Sequence, residues 1–280
     1  MAIKPVSPLN LDRYEIKYLI PMAMVKPISE YVEQFCEMDY YSQISHDNFY
    51  VINSLYLDTV SKFVLRKQQN QEHAFSCFRI RSYGPSPKPP YYVESKQKIG
   101  DFCKKRRGKI PFENIEDLFT KPDEIPGFDP YADKNVACFL EKHTTLGLEP
   151  KILTQYRRKA YLSTCDDYAR VTFDRDLRFM EEFTYNVKPD ESRMSHYDQP
   201  DAFDWHGSGA NVVLELKAER KIPIWMIELV RRFDLTRGNF SKYKNSMLEM
   251  QALNNPMFAF DYLNRNDHQQ FTGIRNKLRA

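Results

Sequence analysis

The feature that most constrains this chain is a set of short strand-like runs in which charges recur at every second position. They are Arg13-Glu15-Lys17, Arg79-Arg81, Glu94-Lys96-Lys98, Lys104-Arg106, Arg170-Thr172-Asp174 and Glu215-Lys217. Residues i and i+2 of a β-strand point to one face. Each run therefore sends its charges one way and apolar neighbours such as Ile16, Ile80, Val93, Val171 and Leu216 the other. One such run is an ordinary half-buried strand with its polar side in water. Six of them, mostly basic but with an acid in four, predict the strands of one closed antiparallel sheet. The expected fold class is α+β: a closed antiparallel β-barrel with a charged lumen and helices packed outside. A lumen so rich in Lys and Arg requires a polyanion.

Punctuation along the chain supports this organisation. Strands are predicted at 12–20, 50–57, 75–83, 91–98, 102–110, 152–163, 168–177 and 211–218, and short turns between neighbours imply antiparallel pairing. The run 84–90 is too proline-rich for a helix or an interior strand. Apolar residues at 28, 31, 32 and 35 predict a helix over 27–38, and Asp58-Thr59 is a cap signal for a short helix. Further helices are predicted at 136–146, ending at Gly147, after Ile222-Pro223, and from about 242 to 254. The polar stretch 184–209 is expected to be a loop. Residues 1–265 are expected to form one domain and 266–280 a polar C-terminal tail.

Composition bounds the function. At 280 residues with 42% apolar and 14% aromatic residues, the chain supports a sizeable core. The formal net charge of +3 is far from that of a dedicated nucleic-acid binder, so the basic residues act through local concentration and no nucleic-acid partner is expected. Cys36, Cys77, Cys103, Cys138 and Cys165 are scattered, with no metal-ligand spacing, and read as free thiols of a reducing compartment. No apolar run approaches the ~20 residues of a membrane span. A cytoplasmic location is expected, with any membrane role passing through a partner.

The ordered motifs Arg-Tyr-Glu-Ile-Lys-Tyr (13–18), Ser-Leu-Tyr-Leu-Asp-Thr (54–59), Arg-Ile-Arg-Ser-Tyr-Gly (79–84) and Val-Glu-Ser-Lys-Gln-Lys (93–98) resemble a known family. The series continues with Lys-Lys-Arg-Arg (104–107), Tyr-Arg-Arg-Lys-Ala-Tyr (156–161), Arg-Val-Thr-Phe-Asp (170–174), Leu-Glu-Leu-Lys (214–217) and Phe-Ser-Lys-Tyr (240–243). Together they resemble the vacuolar transporter chaperone (VTC) domain, the polyphosphate polymerase branch of the CYTH-like triphosphate tunnel metalloenzymes. The resemblance implies a triphosphate tunnel, a divalent metal (Mn²⁺ or Mg²⁺), and ATP, triphosphate or polyphosphate inside. It assigns phosphate contacts to Lys17, Arg79, Arg81, Lys96, Lys104, Arg158, Arg170 and Lys242, and metal binding to Glu215. Lys98, Arg106, Lys217 and Ser241 complete the expected ligand-binding set. Hydrolytic tunnel relatives open with two glutamates and a lysine at alternate positions. Arg13 stands at the first of these here, which favours transfer over hydrolysis.

Plainer readings stand beside these. Arg79 and Arg81 also suit a solvated strand face, and 104–107 a surface basic run; alternation puts Lys104 and Arg106 inward if the register is right. Glu215 is either a metal ligand or a salt-bridge partner of a tunnel lysine. Glu15 and Glu94 read as internal counter-charges, and Ser241-Lys242 also as an ordinary helix cap. The expected activity is metal-dependent transfer of the ATP γ-phosphate to a polyphosphate chain, an ATP-polyphosphate phosphotransferase. A triphosphatase of the same fold and a non-catalytic polyphosphate-binding module are the alternatives.

Overall fold

The computed structural model describes residues 10–100, 102–166, 168–197, 212–219, 221–238 and 240–255. The strands are β1 (Asn10–Ile20), β2 (Cys36–Met38), β3 (Tyr50–Asp58), β4 (Ala74–Tyr83), β5 (Tyr91–Ile99), β6 (Phe102–Ile110), β7 (Glu149–Ser163), β8 (Ala169–Glu181), β9 (Ser195–His196) and β10 (Val212–Ala218). The helices are α1 (Val25–Val32), α2 (Tyr40–Gln43), α3 (Phe63–Gln69), α4 (Asp117–Thr120), α5 (Lys134–Leu146), α6 (Ile224–Arg232) and α7 (Lys242–Asn254). None of the described helices is long and apolar enough to cross a membrane, and the five cysteines are free thiols.

Hydrogen bonding runs β7-β3-β4-β5-β6-β1-β10-β8 and returns from β8 to β7, so eight antiparallel strands form a ring. β2 and β9 extend the sheet beside β7 and β8. The outward faces carry the apolar half of each alternating run. Ile80, Val93 and Ile110 pack with Val136 and Phe139 of α5 and with Val64 and Leu65 of α3. Val171, Leu214 and Leu216 pack with Ile28 and Val32 of α1 and with Trp225, Met226 and Leu229 of α6. Side chains of this size stabilise by ~1.5–3 kcal/mol each when fully buried. This apolar coat sets the register, and the register aims the charges inward.

Two local devices fix the helices that reach the ring. Asp58, at the end of β3, accepts hydrogen bonds from the backbone N–H groups of Val64 and Leu65, both at 2.9 Å, and from Tyr243 Oη at 2.6 Å. One buried carboxylate thus caps α3 and ties α7 to the ring. Gly108 lets α5 approach β6: a Cβ there would lie 2.4 Å from Val136 Cγ2 and 2.9 Å from the Val136 nitrogen.

The predicted helix over 27–38 is shorter. α1 ends at Val32, and Cys36–Met38 leaves the helix to pair with Ser163–Tyr161 at the edge of β7. Residues 184–197 form a loop apart from the two-residue β9, while 198–209 and the 266–280 tail lie outside the described residues.

Candidate functional site

A cavity of about 1690 Å³ is lined by side chains from all eight ring strands and from the start of α7. Fifteen Lys and Arg residues line it against five Asp and Glu, and buried Glu94 and Asp174 add two carboxylates behind the lining. Four carboxylates on the inward faces of the strands organise these cations.

Glu94 of β5 is 1% exposed and serves four of them. Its Oε2 lies 2.7 Å from Arg79 Nη2 and 3.6 Å from Arg81 Nη1; its Oε1 lies 2.7 Å from Lys105 Nζ and 3.3 Å from Arg107 Nε. Burial alone would raise the Glu94 pKa; Arg81, Lys105, Arg79 and Arg107 outweigh it and hold the group well below the usual carboxylate range. Lys105 shows the other side of this sharing. Burial and its neighbours Arg81, Arg107 and Arg79 depress its pKa well below the normal lysine value, and its quarter share of Glu94 does not compensate.

A second group spans β1, β5, β7, β8, β10 and α7. Lys96 Nζ donates to both Glu15 oxygens at 2.9 Å. Lys17 Nζ is within 4 Å of both Glu15 and Glu215, at 3.8 and 3.7 Å, and donates to the Phe240 carbonyl at 2.9 Å. Glu215 also meets Lys217 at 2.5 Å, Arg158 at 3.4 Å and Lys242 at 3.6 Å. Asp174 takes a bidentate pair from Arg158, both bonds at 2.6 Å, and Lys242 at 2.5 Å. Burial works to raise both carboxyls, but the cations hold Glu215 well below the usual range and Asp174 below it. Tyr156 links the two groups: its hydroxyl accepts from Arg81 Nη2 at 3.2 Å, and Lys242 Nζ lies 4.5 Å above its ring.

Ten of the twelve cations and hydroxyls singled out in the sequence line this cavity. Lys17, Arg79, Arg81, Lys96, Lys98, Arg158, Arg170, Lys217, Ser241 and Lys242 are brought together from β1, β4, β5, β7, β8, β10 and α7, as is Glu215. Ser241 is also the cap of α7, accepting from the Lys244 N–H and donating to Gln68 Oε1 at 2.6 Å. Lys104 and Arg106 are the correction. They lie exposed on the outer face of β6, where Arg106 reaches Cys138 of α5, and Lys105 and Arg107 occupy the inner face. The register of β6 is one residue away from the expected one, because Lys105 pairs with inward Lys96 and Arg107 with inward Glu94. The parity of Phe102 and Ile110 carried this signal: the apolar face of the strand holds the even positions.

Other lining residues gave no signal. Lys244 and Arg237 belong to no alternating run, and Asp39 joins the site through tertiary contacts with Arg170 at 2.8 Å and Tyr50 Oη at 3.3 Å. Asp174 pairs with Arg158 and Lys242, not with Arg170 of its own strand. His73, Cys77 and Cys103 also line the cavity. Burial pushes the Cys77 thiol up to about 11, which keeps it protonated at neutral pH.

Lys17 lies between Glu15 and Glu215, and Arg158 and Lys242 lie between Glu215 and Asp174, so Glu215 is the carboxylate common to both pairs and the one placed to share a divalent cation with a neighbour. Hard oxygen donors in this number suit Mg²⁺ or Mn²⁺ when substrate phosphate oxygens and water complete the shell. Among the described residues no group of three or more His, Cys, Asp or Glu converges as a self-sufficient metal cage.

No curated protein matches the chain by sequence. Among solved structures, a candidate adenylate cyclase from Bacillus halodurans is similar at 12% identity and TM-score 0.44, covering 84% of this chain and 96% of its own. A protein from Pyrococcus horikoshii is similar at 12% identity and TM-score 0.42, with 86% and 99% covered. A candidate adenylate cyclase from Vibrio parahaemolyticus follows at 10% identity and TM-score 0.39, with 84% and 96% covered. The family model described as the VTC domain matches residues 12–251, which reaches into every ring strand and most of α7, and the chain belongs to that family.

Proposed function

We propose that this chain is a metal-dependent polyphosphate polymerase that moves the γ-phosphate of ATP onto a phosphate or polyphosphate chain held inside the ring. The observation that carries the reading is the convergence of fifteen cations on one cavity lined by all eight ring strands. Phosphoryl transfer asks a protein chiefly for positioning and charge neutralisation. Arginine forks such as Arg79, Arg81 and Arg158 suit pairs of phosphate oxygens, and Lys17, Lys96 and Lys242 supply compact charge beside them. Cations placed on several sides of one bore can align a donor triphosphate with an acceptor phosphate, which lowers the entropic part of the barrier.

Glu15, Glu94, Asp174 and Glu215 each face cations and are held more acidic than a free carboxylate, which supports reading them as ionised counter-charges of the cavity. Glu215, with Glu15 beside it, would hold the divalent metal together with substrate phosphates. A metal there supplies Lewis acidity and a template for the phosphate oxygens. The anionic acceptor brings its own nucleophilic oxygen, so no protein nucleophile is needed.

Pure protein incubated with ATP and Mn²⁺ should yield ADP and long polyphosphate, read by gel and by chain-terminal phosphorus NMR. Release of ADP and orthophosphate with no chain growth would overturn the polymerase reading in favour of a triphosphatase. Tight polyphosphate binding without turnover under Mn²⁺ or Mg²⁺ would overturn it in favour of a binding module.

A further inference from the structure

The two ends of the cavity differ in chemistry. At one end, where β4 begins and β5 finishes, the lining includes His73, Gln71 and Lys98. At the other, where β4 finishes and β5 begins, it turns aromatic, with Tyr41 of α2, Tyr50 of β3, Tyr83 of β4 and Tyr92 of β5. These rings touch one another. Tyr41 and Tyr83 lie nearly parallel, 11° apart with centroids at 6.4 Å; Tyr41 tilts against Tyr50 at 5.8 Å, and Tyr83 meets Tyr92 edge-on at 6.0 Å. The Arg107 guanidinium sits 3.5 Å from the Tyr92 centroid and donates to Tyr83 Oη at 2.6 Å. Tyr41 remains 44% exposed at the rim.

A chain of phosphates has no use for the four rings, although Arg107 beside them and Lys88 and Lys109 in the same lining can meet it. Aromatic faces offer phosphate little, and the cations further in already supply the charge. A planar base is what such a rim suits, because every nucleobase has a π-face and stacks on exposed aromatic rings and on arginine planes. The spacing fits a nucleotide. Tyr83 lies two residues beyond Arg81 on the same face of β4, about 6.5–7 Å along the strand. That is a separation a ribose and its first phosphate can bridge.

We propose that the tyrosine rim is a stacking site for the base of a nucleoside triphosphate, whose phosphates run inward past Arg107 toward Arg81 and Arg79. The inference rests on the reading that the cavity takes a nucleotide donor. It assigns the donor to the Tyr41 end and leaves the Lys98 end to the growing chain. Stacking is tolerant of base identity, so the rim separates nucleotides from inorganic triphosphate more sharply than one nucleotide from another.

The test is calorimetric titration with ATP and with inorganic tripolyphosphate, divalent metal being chelated so that neither turns over. Tyr41 is 44% exposed and lies in α2, outside the ring strands, so Tyr41→Ala leaves the hydrogen bonding of the ring intact. It should weaken ATP by about 5- to 150-fold, the range for losing one stacked base, and leave tripolyphosphate within about twofold. Tyr41→Phe, which keeps the ring and drops the hydroxyl, should bind ATP as the wild type does. Tripolyphosphate binding with ATP affinity unchanged in Tyr41→Ala would overturn the stacking site and leave the polymerase reading standing. An equal loss for both ligands would also overturn it, since the effect would then be on the cavity. Failure of the wild type to bind either ligand both with the metal chelated and with it restored would overturn both readings.

Discussion

Replacing Glu94 by Gln tests whether the cavity is held open by its own counter-charges. Four cations lie within 3.6 Å of a carboxylate that is 1% exposed. Gln keeps the shape, removes the charge, and turns an NH₂ group toward groups that can only donate. Breaking a buried ion pair by neutralising one partner costs ~3–5 kcal/mol, because the other charge stays buried. For a chain of this size ~1 kcal/mol moves Tm by about 2–4 °C, so the empty variant should melt about 6–20 °C below wild type. Tripolyphosphate should reverse the ranking of ligand effects. Saturation at 100 times Kd stabilises wild type by ~2.7 kcal/mol. In the variant the same anion also relieves four uncompensated cations, so its affinity and its stabilising effect should both be larger.

The assay is thermal unfolding by near-ultraviolet circular dichroism across a tripolyphosphate series, with Kd taken from the shift. The acid limb supplies an independent check. Glu94 has a folded-state pKa below its unfolded value, so its stabilising contribution is complete above the unfolded value of about 4.3 and is lost as pH falls through the folded one. Wild type should therefore lose stability below about pH 4.3 more steeply than Glu94→Gln. Equal melting of the two empty proteins, or an equal anion shift in both, would refute the view that Glu94 stands in for substrate charge.

Three further predictions follow from the geometry. Lys105→Ala should weaken tripolyphosphate by about 10- to 150-fold, the range for losing a hydrogen bond to a charged group, while Lys104→Ala on the outer face stays near wild type by the same titration. Because Lys105 has a depressed pKa, raising pH should remove its charge and weaken anion binding; that slope should flatten in Lys105→Ala. Glu215→Gln should reduce Mn²⁺-dependent turnover by more than it reduces metal-free polyanion binding, measured as kcat against Kd on one preparation. Gly108→Ala should destabilise by ~1–3 kcal/mol in denaturant unfolding, because α5 must shift from Val136, and should leave anion affinity unchanged because the strain lies outside the ring.

The ring was legible because alternation is a one-dimensional signal. Ile80 between Arg79 and Arg81, or Leu216 between Glu215 and Lys217, declares both faces of a strand from three residues. Register was the weak point where four basic residues stand together. In Lys104-Lys105-Arg106-Arg107 either parity gives two inward cations, and only the distant Phe102 and Ile110 distinguish them. The pairing of charged side chains across the cavity was not legible. That Asp174 serves Arg158 follows from the pairing of β7 with β8 in the closed ring, and its contact with Lys242 and that of Asp39 with Arg170 follow from where α7 and the segment after β2 pack. Helix ends also eluded periodicity where the edge of β7 offered Cys36–Met38 hydrogen bonds that compete with another helical turn.

The interleaved carboxylates carry a consequence for how such a site would work. Cations alone would bind a polyanion most tightly but would repel one another when empty, by ~4 kcal/mol for each pair at 4 Å and an effective dielectric of 20. Glu94, Glu15, Asp174 and Glu215 remove that repulsion and fix the guanidinium and ammonium groups in place before substrate arrives. The incoming phosphate must then share cations that already have partners, so part of each contact offsets a bond being loosened. For a polymer that has to advance one unit after each transfer, this exchange lowers the barrier to sliding, since every cation released by a phosphate has a carboxylate to return to. Removing Glu94 should therefore tighten the anion and slow its departure together. A variant with higher affinity and an unchanged dissociation rate would break the link between the two.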